Sequence, residues 1–302
     1  EAPKNKSAAP RLPIFDKKER QVISFFISDF SGDTLLSFAE KVLTRPKVTD
    51  PLIAKIALSY ALFILLLRFM VIVLFSLPYY PIPPKGFQID FHWILIPPTI
   101  DMFNVYLYIP QDFLLMDIIF ELLFTFLHAY IASYLLILII REHKPKDRYF
   151  ELPYIGARDS YFEMLKFFLF VNVLRILLEK APQYFFLTEK SELYFLILKG
   201  IYWVIGIFFI FTPYIIILNG VSFSQAIVRS YNLVIEGGGI VFKIIIASIL
   251  SFSIFEWILS LTNNFLLIIF GVLFIGFPLI ITLNNFIIRE LMEIEGVAVN
   301  EQ

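Results

Sequence analysis

Most charged side chains avoid apolar surroundings, so those inside long apolar runs are the first candidates for chemistry. In this sequence they are Arg68, Asp117, Glu121, His128, Arg175, Lys199 and Glu256. Charge in such runs is costly and marks pathways, binding sites or buried pairs. Asp117, Glu121, Thr125 and His128 follow one another at helical spacing and fall along a single helix face. Two chemistries fit. Arg68, Arg175 and Lys199 could hold an anionic group such as a lipid phosphate, while Asp117 and Glu121 coordinate a cation or relay protons to His128. Alternatively, the acids and bases neutralise each other as ion pairs between helices, or carry their charged ends to the headgroups.

Other chemistry is poorly served. The sequence has no cysteine, which removes disulfides, thiolate nucleophiles and cysteine–zinc sites. Its three histidines, His92, His128 and His143, fall on different levels of the expected topology, so no metal set forms from them. GxSxG, HExxH and GxxxxGK[ST] runs are absent from the sequence. The one glycine cluster, Gly237 to Gly239, ends a helical pattern instead of opening one after a strand. No cofactor is expected. The net charge of −1 gives no electrostatic case for nucleic acid.

The elements that would position these residues follow from hydropathy. Over 302 residues the chain is 59% hydrophobic and 17% charged. Soluble domains average about 45–50% and about 25%, so a water-soluble enzyme is excluded. Six runs approach the roughly 20 apolar residues that cross a bilayer as a helix: 52–77, 113–140, 160–178, 192–218, 238–260 and 265–288. They are continuous, unlike the short alternating strands of a membrane barrel. The fold expected is all-α, a polytopic bundle of six transmembrane helices with additional interfacial amphipathic helices. The run 160–178 is the weakest, interrupted by Glu163, Lys166, Asn172 and Arg175.

Basic residues orient the bundle. With the N-terminus in the cytoplasm, 17 Lys and Arg fall on that side, in the N-terminal arm up to Lys55, the 141–159 loop, Arg229 and Arg289. Only Lys85, Lys180 and Lys190 fall opposite. The positive-inside rule then places both termini in the cytoplasm of a multi-pass cell-membrane protein. The intramembrane acids and bases gather in the outer leaflet. The first 20 residues are polar and lack the apolar core of a secretory signal peptide.

Outside the spans, 1–50 reads as a cytoplasmic arm with an amphipathic helix in its second half. The stretch 78–112, rich in proline and aromatics, reads as an ordered cap on the outer surface. Residues 291–302 form a cytoplasmic tail. Between the fourth and fifth spans, 219–237 reads as a short amphipathic helix in the cytoplasmic interface. Ser222 or Ser224 would cap it, and Ala226, Ile227, Ser230, Tyr231 and Val234 recur at helical spacing.

The run of Pro213, Gly220, Ser222, Ala226, Ser230 and Gly237, followed directly by a new apolar span, resembles a pattern in bacterial inner-membrane proteins. It occurs in the membrane domain fused to some glycerophosphodiester phosphodiesterases and in related inner-membrane proteins of uncharacterised function. The likeness covers about residues 210–260. It implies a helical membrane module without known catalytic residues; the phosphodiesterase domain has no counterpart in this sequence.

The function expected is that of a non-enzymatic integral membrane protein with a structural, accessory or assembly role. Its partners would be membrane lipids and a membrane protein or a second copy of the chain. The alternative is a transporter, channel or lipid-handling protein that uses the outer-leaflet charges as a lipid-binding cavity. Asn284 and Asn285, late in the last apolar run, are expected to hydrogen-bond between helices.

Overall fold

The structure, a computed structural model, describes residues 51–74, 80–81, 107–108, 114–143, 152–180, 191–236 and 277–294, with isolated positions 258, 261, 271 and 275. The described part is helical apart from one short bridge. Helix α1 spans Pro51–Leu74, α2 Leu114–His143 and α3 Pro153–Arg175, which runs into a π-helical turn at Ile176–Lys180. Then come α4 Ser191–Phe209, α5 Thr212–Asn219, α6 Phe223–Glu236 and α7 Phe277–Ile294. Two-residue strands, β1 Tyr80–Pro81 and β2 Leu107–Tyr108, pair antiparallel with Tyr80 opposite Tyr108. This pairing ties together the two ends of the proline-rich stretch. Two segments among the described residues are long and apolar enough to cross a membrane, Leu122–His143 and Gly200–Asn219. The N-terminal arm, the body of the cap, the span 238–260, most of 265–288 and the end of the tail lie outside the described residues.

Helix α2 is the axis of the described core. From Leu135 to Ile140 every side chain is buried, the pattern of a helix surrounded by protein on all sides. Toward its start the pattern inverts: Leu115, Ile119, Leu123 and Phe126 are exposed. Helix α3 packs along α2, and each carries small buried residues, Ala129, Ala132 and Ser133 on α2 and Gly156, Ala157 and Ser160 on α3. Such residues let helix backbones approach closely. Two of them carry hydroxyls, and each bonds within its own helix, Ser133 Oγ to the Ala129 carbonyl at 2.6 Å and Ser160 Oγ to the Gly156 carbonyl at 2.8 Å. They therefore act in the interface as small residues without open polar groups. Among the described side chains, helix α1 meets the bundle through Ile53 and Tyr60, with Ile56 between them. Its Leu62, Phe63, Leu66, Met70 and Val73 face outward.

Several boundaries differ from those expected by hydropathy. The second apolar run stops near residue 140, but α2 continues through Arg141 and Glu142 to a buried His143. A helix needs backbone hydrogen bonds, and its last turn can carry polar residues once neighbouring elements cover it. Helix α3 starts before the apolar run, at Pro153, whose missing N–H and fixed φ suit the first helical turn. The fourth run is not one helix. It breaks at Ile210 and Phe211, ahead of Pro213, whose ring would collide with the Phe209 carbonyl and which has no N–H to donate. In the last run the described helix begins at Phe277–Pro278 and extends to Ile294, so Asn284 and Asn285 lie near its middle.

Helix α5 ends at Gly220, which takes the left-handed conformation at φ 59° and ψ 30° and returns its N–H to the Ile216 carbonyl at 3.0 Å. That cap turns the chain sharply into α6, whose first intrahelical bond runs from the Ala226 N–H to the Ser222 carbonyl at 2.9 Å.

Candidate functional site

Of the ionisable residues within the apolar runs, the side chains of His128 and Arg175 are described. Arg68 on α1, Asp117 and Glu121 on α2, and Lys199 on α4 are described in their backbone positions only. Glu256 lies outside the described residues.

The imidazole of His128 is buried between α1 and α3. Phe168 meets it edge-on with ring centroids 4.5 Å apart, and Tyr60 of α1 lies at 6.4 Å. One turn nearer the start of α2, the buried hydroxyl of Thr125 accepts a hydrogen bond from the Asn172 amide of α3. Three residues beyond Asn172, Arg175 is only 3% exposed. Tyr60, Thr125, His128, Asn172 and Arg175 thus form a buried polar layer about two helical turns deep across three helices, within otherwise apolar surroundings.

The two cross-helix contacts also set a register. Position 128 lies level with 168 and position 125 with 172, so α2 and α3 run antiparallel. One further turn at the same rise brings position 121, a glutamate, level with position 175, the buried arginine. Of the expected residues, then, His128 and Arg175 lie about two turns apart at opposite ends of this layer, and the backbone brings Glu121 to the level of Arg175. Asp117 is one turn farther along α2.

Further polar contacts lie elsewhere. Both asparagines of α7 bond to other helices: Tyr214 donates to Asn284 Oδ1 at 2.8 Å, and His143 Nε2 lies 2.6 Å from Asn285 Oδ1. The Glu163 carboxylate, on α3, performs two tasks. Its Oε1 pairs with Lys166 at 2.5 Å, and its Oε2 accepts the backbone N–H of Phe223 at 2.6 Å. Phe223 is the first residue of α6, so a side chain from a distant helix caps the positive end of that helix dipole.

Ser230 of α6, fully buried, sits at the break between α4 and α5. Its hydroxyl donates to the Phe208 carbonyl at 2.7 Å and accepts the Phe211 N–H at 3.2 Å. Interrupting a helix leaves backbone groups without their regular partners. One hydroxyl answers two of them. Spacing alone did not reveal Glu163 or Ser230 as connectors; the available signals were a proline inside an apolar run and a serine on the apolar side of an amphipathic helix.

Among the described residues, no group of three or more His, Asp or Glu is gathered for a metal ion. In comparisons with known proteins, no family model, curated protein or solved structure matches the chain.

Proposed function

We propose that the chain is a multi-pass integral membrane protein with a non-enzymatic structural, accessory or assembly role. In this reading it has six spans and cytoplasmic termini. The observation that carries the proposal is the distribution of polarity. Inside, polar side chains bond across helices, as in Asn172 to Thr125, Tyr214 to Asn284 and His143 to Asn285. Outside, α1 exposes Leu62, Phe63, Leu66, Met70 and Val73, and α4 exposes Ile197, Ile201 and Val204. A soluble monomer rarely presents contiguous apolar surface of this kind, whereas lipid or a neighbouring membrane subunit covers it naturally.

Run lengths and the asymmetry of basic residues support the six-span topology. The resemblance to the phosphodiesterase-associated membrane domain fits this reading as well. Pro213 breaks a helix, Gly220 caps one, Ser222 starts the next, and Ala226 and Ser230 dock it. These are tasks of architecture. Purification in mild detergent followed by native mass measurement tests the proposal. The expected result is a stoichiometric membrane partner or a defined oligomer. A solitary chain that moves a solute or lipid across vesicles would overturn it.

A second reading, lipid handling or transport through the outer-leaflet charges, is favoured by one observation: Arg175 and His128 are both buried, about two turns apart, with position 121 level with Arg175. Transport and retained lipid measured after Glu121→Gln and Arg68→Gln separate the two. Unchanged transport and lipid content with lowered stability would leave the layer a packing role only.

A further inference from the structure

Helix α6 has three kinds of surface where an ordinary amphipathic helix has two. At 100° per residue, Ala226 and Ser230 define the side that meets the protein, and both are fully buried. Roughly 150° around the helix, nearly opposite, lies a second apolar edge made of Val228, Tyr231 and Ile235, which are 57%, 45% and 56% exposed. The remaining sector carries Gln225, Arg229 and Asn232. Protein contact accounts for the first edge and water for the third. The second has no covering element among the described residues.

The apolar edge continues a surface on α4. Ile197, Ile201 and Val204, all exposed, repeat at helical spacing, and the next position on that face is Phe208. The ring of Phe208 lies 5.2 Å from that of Tyr231. One apolar surface therefore descends the outside of α4, passes through this aromatic contact and turns onto the exposed edge of α6. The turn occurs where Gly220 ends α5 and the chain leaves the apolar run.

We infer that α6 is an in-plane membrane helix whose Val228, Tyr231 and Ile235 edge sits at the boundary between headgroups and acyl chains of the leaflet where α5 ends. This rests on the membrane reading given above and specifies one lipid contact surface within it. A bilayer fits the edge better than a protein partner. Three partly exposed side chains fall well short of the about 800 Å² per partner that a stable protein interface buries. Tyrosine at the centre matches the side-chain type enriched at headgroup level. The polar sector alongside matches a helix lying flat, with one side in the interface and one in water. Unlike a peptide that settles on a bilayer by itself, α6 is held in orientation by the protein, through Glu163 at its start and Ser230 along its length.

The absence of cysteine makes the test direct. Single variants Val228→Cys, Ile235→Cys, Gln225→Cys, Asn232→Cys and Val204→Cys of the full chain would carry a nitroxide label in phosphatidylcholine–phosphatidylglycerol vesicles. Collision with oxygen, which concentrates in lipid, is compared with collision with a water-soluble nickel chelate. The expected result is an oxygen-to-nickel ratio several-fold higher at 228 and 235 than at 225 and 232. Equal ratios at all four α6 positions would overturn the inference. So would protection from both reagents at 228 and 235, which would mean that protein covers the edge. Val204 separates the two levels of the argument. A lipid-like ratio at 204 with water-like ratios at 228 and 235 refutes the placement of α6 alone, whereas a water-like ratio at 204 refutes the membrane reading itself.

Discussion

Replacing Ser230 with alanine removes one oxygen atom and, with it, two hydrogen bonds that join three helices. The Phe208 carbonyl loses a donor at 2.7 Å and the Phe211 N–H loses an acceptor at 3.2 Å. Ser230 has no solvent exposure, so water has no ready access to replace either bond. A backbone group stranded in a protein interior costs about 1–3 kcal/mol. Hydrogen bonds between helices in a membrane protein average nearer about 0.6 kcal/mol, because the unfolded chain in a membrane also finds partners. Between these limits, Ser230→Ala is expected to lower stability by roughly 1–3 kcal/mol. Ser224→Ala, at an exposed position on the same helix, should change stability by no more than about 0.5 kcal/mol. Ser230→Thr keeps the hydroxyl but adds a methyl group to a filled site, and should fall between the two. Unfolding in mixed micelles of increasing dodecyl sulfate, followed by helical ellipticity, gives the ranking. Hydrogen exchange at the Phe211 amide gives the local effect. If Ser230→Ala unfolds with Ser224→Ala and the Phe211 amide keeps its protection, the hydroxyl is not what closes the break.

Glu163→Ala should release the first turn of α6 at a cost of about 1–2 kcal/mol, with Glu163→Gln milder because it keeps an acceptor for the Phe223 N–H; faster amide exchange at the start of α6 reports it. Lys166→Ala should cost less than about 0.5 kcal/mol, since that pair is largely solvated. A double-mutant cycle on His143→Ala and Asn285→Ala should return a coupling of about 0.5–1.5 kcal/mol, measured by the same micelle unfolding. Gly220→Ala should destabilise by about 1 kcal/mol and Gly200→Ala should be neutral or stabilising. A Cβ meets nothing within 4 Å at either site, so the contrast isolates the left-handed backbone of Gly220.

Those local contacts also show where one sequence is informative. Helices could be read from apolar runs, because each acts through its own backbone, yet the fourth run reads straight through Pro213. Asn284 and Asn285 could be read as helix-to-helix links, since an amide in an apolar run has few other uses. Partners across long separations could not be read. Nothing near Glu163 indicates that it caps a helix sixty positions later, and nothing near Thr125 selects Asn172. Such pairs depend on the register of packed helices, which many residues set jointly. The break at Ile210–Phe211 was hidden for another reason: hydropathy records what surrounds a residue, not whether its backbone is continuous. Spacing along α2 did place Asp117, Glu121, Thr125 and His128 on one face, since helix geometry alone fixes that relation.

The Ser230 contact carries a consequence for biogenesis. Synthesis proceeds from the amino end, so Phe211 and Phe208 leave the ribosome 19 and 22 positions ahead of Ser230. During that interval the interrupted segment lacks the hydroxyl that closes its break, and its open groups depend on water or another partner. Only when α6 emerges and packs back against the segment is the break closed. The carboxyl-terminal half is thus assembled with a dependency that runs backward along the chain. A chain truncated ahead of Ser230 would hold an apolar segment unable to finish its own backbone bonding, so the folding of α4 and α5 is tied to a helix made after them.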